Sequence, residues 1–119
     1  DRGQVTGAFV QGMGWLTTEK LFYDEKGVLK THAPSTYKIP SVHDGPRVFH
    51  MDFLEPQENS SHVKNVKNLK GSKAVGEPPL MLAISVWAAI KNAISYETQT
   101  NPNLGVPASQ EMILMSLQK

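Results

Sequence analysis

The residue best suited to do chemistry is Glu77, in the run Ser72-Lys73-Ala74-Val75-Gly76-Glu77-Pro78-Pro79. A carboxylate positioned near a reacting group accepts a proton when it is ionised at the working pH. Glu77 stands before a proline, which biases its backbone to the extended region and predicts a place at or just before a helix start. Free N–H groups and the helix dipole favour an ionised carboxylate there. Gly76 allows a ligand to approach the main chain closely. A simpler reading stays open beside the base: Glu77 is a favourable charge in a first helical turn, where acids are common. Lys73 is the lysine to weigh beside it, although a lysine in a loop is ordinarily a solvated charge.

The other reactive side chains form no constellation. His32, His43, His50 and His62 make no His-x-His or His-Glu-x-x-His pattern, so no metal ligand set is expected. His32 and His62 read as loop or surface residues, and His50 as a strand residue. There is no Gly-x-Ser-x-Gly elbow and no cysteine, which leaves nucleophilic catalysis and thiolate chemistry without a carrier. Met13, Met51, Met81, Met112 and Met115 read as core filler, and Trp15 and Trp87 as packing anchors on two helices.

These residues must be held by elements that the hydrophobic pattern outlines. Val5, Ala8, Phe9, Met13 and Leu16 recur at spacings of three and four, predicting a helix from residue 3 to about 19 led in by Asp1. Gly3, Gly7, Gly12 and Gly14 weaken such a helix, so their crowding suggests that something packs very close to it. Leu21–Tyr23 and Val28–Thr31 flank Asp24-Glu25-Lys26-Gly27 as a hairpin. Ala33–Pro40 is bracketed by prolines and is expected to be extended or irregular. Arg47–Leu54 reads as a second strand with apolar residues on both faces. Residues 55–72 are polar and loop-like. Pro78 and Pro79 suit the first turn of a helix from Leu80 to about Tyr96, apolar nearly all the way round and so expected to be buried on most sides. Asn101–Pro107 is a turn-rich connection, and Ser109 caps a last helix through Leu117. The expectation is one α+β unit over residues 1–119: a small antiparallel sheet, a Gly-rich N-terminal helix, a long buried helix after Gly-Glu-Pro-Pro and a short C-terminal helix.

Composition narrows the function. The chain has 119 residues, 39% of them hydrophobic, and a net charge of +1 from 12 basic and 11 acidic side chains. Mean hydropathy is −0.32. Interspersed charges of both signs leave no footprint for nucleic acid or an anionic membrane. The lysines of Lys64–Lys73 lack an aromatic stacking platform and read as a solvated loop. No unbroken apolar run approaches the roughly 20 residues of a membrane helix. The absence of disulfides fits a cytoplasmic home. The opening Asp-Arg-Gly-Gln suggests a subunit fragment or excised domain.

At three stretches the chain resembles the xanthine dehydrogenase family of molybdenum hydroxylases. Lys73-Ala74-Val75-Gly76-Glu77-Pro78-Pro79-Leu80 is similar to its glutamate motif, and Gly3-Gln4-Val5-Thr6-Gly7-Ala8-Phe9-Val10-Gln11-Gly12-Met13-Gly14 to its cofactor-flanking helix. Pro34-Ser35-Thr36-Tyr37-Lys38-Ile39-Pro40 is similar to a third stretch, and order and spacing agree over residues 1 to about 95. Gly14-Trp15-Leu16-Thr17-Thr18-Glu19 and Thr31-His32-Ala33 further resemble the large subunit of bacterial xanthine dehydrogenases. Two features depart from the pattern: the loop Asn59–Asn68, and Thr6, where the family commonly has an acid.

The resemblance implies that the chain is the C-terminal part of a molybdopterin-binding subunit. Glu77 would be the base that takes a proton from the hydroxide on molybdenum as it attacks an electron-poor carbon. Gln4 would hydrogen-bond the molybdopterin, and the backbone of Lys73, Ala74, Val75 and Gly76 would line it, with no side chain ligating the metal. The implied substrate is a purine, xanthine or hypoxanthine going to urate. Electrons would leave through 2Fe-2S clusters, FAD and NAD held on other domains or on an FAD/iron–sulfur partner subunit. Two alternatives accompany this: a sister activity such as an aldehyde oxidase, and an isolated structural piece that hydroxylates nothing by itself.

Overall fold

The computed structural model describes residues 1–53, 69 and 73–118. Four helices order the described residues: α1 (Arg2–Thr17), α2 (Glu77–Leu82), α3 (Ile84–Thr98) and α4 (Gln110–Leu117). α1 forms despite its glycines, because its environment uses their missing side chains. A Cβ on Gly12 would fall on the Leu80 carbonyl and 2.7 Å from the Ala83 Cβ. One on Gly14 would collide with the Glu19 carboxylate and come within 2.5 Å of Pro40. The expected close neighbours of this helix are therefore α2 and the Pro40 segment, at these two positions.

Through Phe9 and Arg2, α1 also holds the segment after Gly45. The Phe9 and Phe49 rings lie 5.4 Å apart at 60°, a tilted arrangement that suits the ring quadrupoles. Arg2 donates to the Met51 carbonyl at 3.3 Å and pairs with Asp52 at 3.6 Å. Further along, Leu16 accepts a hydrogen bond from the Ala108 N–H at 2.7 Å, and Lys20 pairs with Glu111 at 2.6 Å. The two ends of α1 are thus tied to distant parts of the chain.

Two local expectations need correction. Glu77 is not extended but is the first residue of α2, with Gly76 as N-cap in the right-handed region. The steric bias against helix before proline is a preference, and in the first turn the missing proline N–H has no partner to lose. The long second helix is broken in two at Ala83, where Ala83 N–H bonds to Leu80 O at 3.3 Å and Val86 N–H to Ala83 O at 2.9 Å. These bonds span three residues, so the turn tightens locally before α3 resumes. Gln99, in the left-handed region at φ 54°, ends α3.

The Asp24–Gly27 turn closes as its residues suggest. Asp24 accepts from the N–H groups of Lys26 and Val28, Gly27 takes φ 76°, and Tyr23 bridges antiparallel to Leu29. Residues 34–36 form a turn rather than an extended run, with Thr36 and Tyr37 N–H both bonding to Ala33 O at 2.9 Å; the fixed φ of Pro34 suits its second position. Among the described residues the Tyr23–Leu29 bridge is the β contact present; Leu54, His62 and the loop Asn59–Asn68 lie outside them.

The best-packed apolar cluster is small. Ile94, Leu104 and Ala108 are buried and are covered by Trp87, Ile90, Met112 and Ile113. Trp87 is the anchor expected, its indole N–H donating to Gly105 O at 3.1 Å. Trp15 is not: half of its surface is exposed. Ser109 caps α4, accepting from Met112 N–H at 3.3 Å. The apolar faces of α2 and α3 are likewise largely uncovered, with Met81, Leu82, Ile84 and Tyr96 all more than 60% exposed. Taken together, Glu77–Thr98 is 22 residues long and meets the length and composition of a membrane span. Counting unbroken apolar runs missed this, because an average over the helix absorbs its few polar positions.

Candidate functional site

α1 has two faces of different character. At 3.6 residues per turn, Val5, Phe9, Met13 and Leu16 share one side, and Gly3, Gln4, Gly7, Ala8 and Gln11 share the other. That second side lines a cleft of about 510 Å³, closed opposite by Gly76, Glu77 and Leu80. α2 is held against α1 through Gly12, which lets the Leu80 main chain approach the helix. Gly76 in turn sits so that a Cβ on it would be 4.0 Å from that of Ala8. The glycine at position 12 therefore sets how near Glu77 comes to the cleft.

Within this cleft the side chains differ sharply in kind. A Cβ on Gly3 or Gly7 would meet nothing within 4 Å, so the middle of the α1 face is bare main chain beside open space. Gln4 and Gln11 are exposed carboxamides, each offering an acceptor and two donors. Glu77 is the one carboxylate among the lining residues, and Leu80 and Ala8 supply apolar contact. A flat polar group with hydrogen-bonding edges suits such a surface, with a carboxylate able to accept a proton at its rim.

Of the residues singled out from sequence, Gln4, Gly76 and Glu77 come together here. Lys73, Ala74 and Val75 do not line the cleft; Lys73 and Ala74 are exposed and Val75 is half-buried. Gln11, Gly3, Gly7, Ala8 and Leu80 line it without having been assigned a role. Their signal was present in the helical phase, which puts Gln11 on the same stripe as Gln4 two turns on. No group of three or more His, Asp or Glu side chains that could hold a metal ion occurs among the described residues.

A partly buried pair stands just past the C-terminal end of α1. Glu19 is buried, only 8% exposed, and accepts a hydrogen bond from the Tyr37 hydroxyl at 2.6 Å. That bond, then burial, then the nearby negative charge raise the Tyr37 phenol above its ordinary value of 10.0. Thr18 adds a bond to Lys38 O at 3.0 Å, so the end of α1 grips the segment 36–40. Asp44 also holds that segment, through Lys38 and Ser41. The Lys38 ammonium at 2.7 Å, the Ser41 N–H and the Ser41 hydroxyl hold its carboxyl far below the usual range.

Comparison with known proteins finds similarity at these same residues. Residues 1–46, which include all of α1, match the molybdopterin cofactor-binding domain. The chain is 45% identical over 121 residues to the xanthine dehydrogenase/oxidase of Felis catus, an alignment covering 95% of this chain and 9% of that protein. It is 46% identical over 95 residues to aldehyde oxidase 1 of Macaca fascicularis, covering 80% of this chain and 7% of the relative. The xanthine dehydrogenase of Dictyostelium discoideum is 47% identical over 95 residues, with the same two coverages. The chain thus spans less than a tenth of the length of these relatives.

Proposed function

We propose, on the premise of the molybdopterin-binding match and the kinship with xanthine dehydrogenases and aldehyde oxidases, that this chain is the C-terminal part of the molybdopterin-binding subunit of a molybdenum hydroxylase. The observation that carries the reading is the meeting of Gln4, Gly76 and Glu77 in one cleft, from segments far apart in the sequence. The surface fits the group. A pterin has donors and acceptors along its edges, and the Gln4 carboxamide can satisfy both kinds. The bare main chain at Gly3 and Gly7 leaves room for its flat rings. When bound, the molybdenum–molybdopterin group supplies a two-electron redox centre for inserting oxygen into a C–H bond.

The chain's own part is positional and acid–base. Gln4 orients the pterin from α1, and the Gly76 main chain borders the same group. Glu77 is the general base: one carboxylate oxygen accepts the proton given up as the oxygen nucleophile forms. Its place at the start of a short helix pinned to α1 keeps that oxygen in register with whatever α1 holds, and such alignment is what makes a positioned base effective. The α+β reading belongs with this: the Tyr23–Leu29 hairpin and the segment 47–53 would pair with strands of the remaining subunit. Iron–sulfur clusters, FAD and NAD belong to other domains or to a partner subunit, and the setting is cytoplasmic. The Glu77–Thr98 helix, broken at Ala83, is read as one covered by protein rather than by lipid.

For the substrate we favour a purine of the xanthine type, because Pro34-Ser35-Thr36-Tyr37 resembles the xanthine dehydrogenases more than the aldehyde oxidases; Gly14–Glu19 and Thr31–Ala33 favour a bacterial-type large subunit. The aldehyde oxidase reading keeps its own support in relatives of similar identity. Glu77→Gln in the parent enzyme tests the assignment. The variant should keep its molybdenum and pterin while turnover falls by ~10²–10⁴-fold or more, the usual range for losing a general base. Loss of the cofactor would make Glu77 a structural residue, and an unchanged rate would remove it from the mechanism.

A further inference from the structure

We infer that Gln11 is a second residue that positions the cofactor, gripping the edge of the pterin remote from Gln4; this rests on the function proposed above. Gln4 and Gln11 are seven residues apart in one uninterrupted α-helix, so they lie on one line along its surface. Their separation along the axis is ~10 Å at 1.5 Å per residue. Gly7 lies between them, and a Cβ there would meet nothing within 4 Å. The face therefore consists of a low patch, bare main chain at Gly7 beside the single methyl of Ala8, with a carboxamide at each end, and both carboxamides line the same cleft as Glu77. A fused three-ring heterocycle has about the length of that patch, with polar atoms along both edges.

Gln11 has the chemistry for the task. It is exposed on the cleft side, while the neighbouring Gly12 and Met13 are buried against other parts of the chain. A buried role in holding α1 is thus excluded for its side chain. A carboxamide at the far end offers an N–H and a C=O together, so it can hold a pterin edge whichever polar atom faces it. It also stands beside the point where the Leu80 main chain meets Gly12, the contact that sets the position of Glu77. Gripping the ring there aligns the bound group with the base.

The test is cofactor retention in the full parent enzyme, read as molybdenum by mass spectrometry and as pterin by fluorescence of its oxidised form during dilution and dialysis. Gln11→Leu keeps the size and helix propensity of the side chain and removes its hydrogen bonds. Loss of pterin should become about 3–10-fold faster, the change expected for one hydrogen bond, with the melting temperature of the cofactor-free protein unchanged. Gln11→Glu, which keeps acceptors and loses donors, should fall between the two or on the Leu side. Wild-type retention in Gln11→Leu, while Gln4→Leu loses pterin, overturns the inference and leaves the proposed function standing. Absence of molybdenum and pterin from the wild-type enzyme overturns the proposed function itself.

Discussion

Glu19 is the buried charged side chain among the described residues, and its partner gives it a pH signature. The neutral Tyr37 phenol donates to the Glu19 carboxylate at 2.6 Å, and its folded-state titration is raised above 10.0. A group raised on folding contributes stability that is complete below its unfolded value and is lost as pH rises through the folded one. The advantage of the wild-type protein over Tyr37→Phe should therefore be full at neutral pH and shrink as pH climbs past about 10. Thermal melting across that range measures it, and an advantage that stays constant would mean the hydroxyl contributes nothing through this bond. Glu19 was not legible beforehand as more than part of a resembling stretch, since only tertiary packing buries it. Glu77 was legible as a candidate, because its proline and glycine neighbours mark it locally. Its helical conformation was not, because a preference of the pre-proline residue is weaker than the packing that starts α2.

At the scale of elements, the contact between α1 and α2 decides where the carboxylate stands. Gly12→Ala would put a methyl onto the Leu80 carbonyl and the Ala83 side chain, and both belong to a packed junction rather than to a flexible tip. We expect a loss of about 1–3 kcal/mol, the usual cost of overpacking. Gly7→Ala, on the same helix but facing open space, should be neutral or raise helix stability by about 0.5–1 kcal/mol. Denaturant unfolding of the two variants distinguishes them; equal effects would mean that α2 does not lie against Gly12. The course of α1, the Asp24–Gly27 turn and the Ser109 cap could be read from the chain, since each depends on residues within a few positions. The break at Ala83 could not. Alanine and leucine are strong helix formers, and the tightened turn answers to the neighbour across the junction.

For the molecule as a whole, shape and surface point the same way. The radius of gyration is 18.7 Å with extents of 58 × 38 × 24 Å, against about 14 Å for a compact domain of this length. Met81, Leu82, Ile84, Tyr96, Leu114 and Met115 are all more than half exposed, an apolar surface that calls for a cover. The isolated chain should therefore self-associate and bind an apolar dye, and it should retain no molybdopterin. Light scattering and pterin fluorescence of the purified 119 residues check this, and a monodisperse monomer carrying the cofactor would refute it. The all-round apolar character of α3 already hinted at such a cover, but what provides it lies beyond any pattern within these residues. The break at Ala83 matters here in a mechanical sense. An unbroken rod from Glu77 to Thr98 would be ~33 Å long, and any tilt imposed on its far end would swing the carboxylate like the tip of a lever. With the tightened turn at Ala83, α2 follows α1 at Gly12, while the far end of α3 packs separately around Leu104 and Ala108. The Glu77 carboxylate is thereby offset from strain borne by the far end of α3, and its aim can survive repacking there.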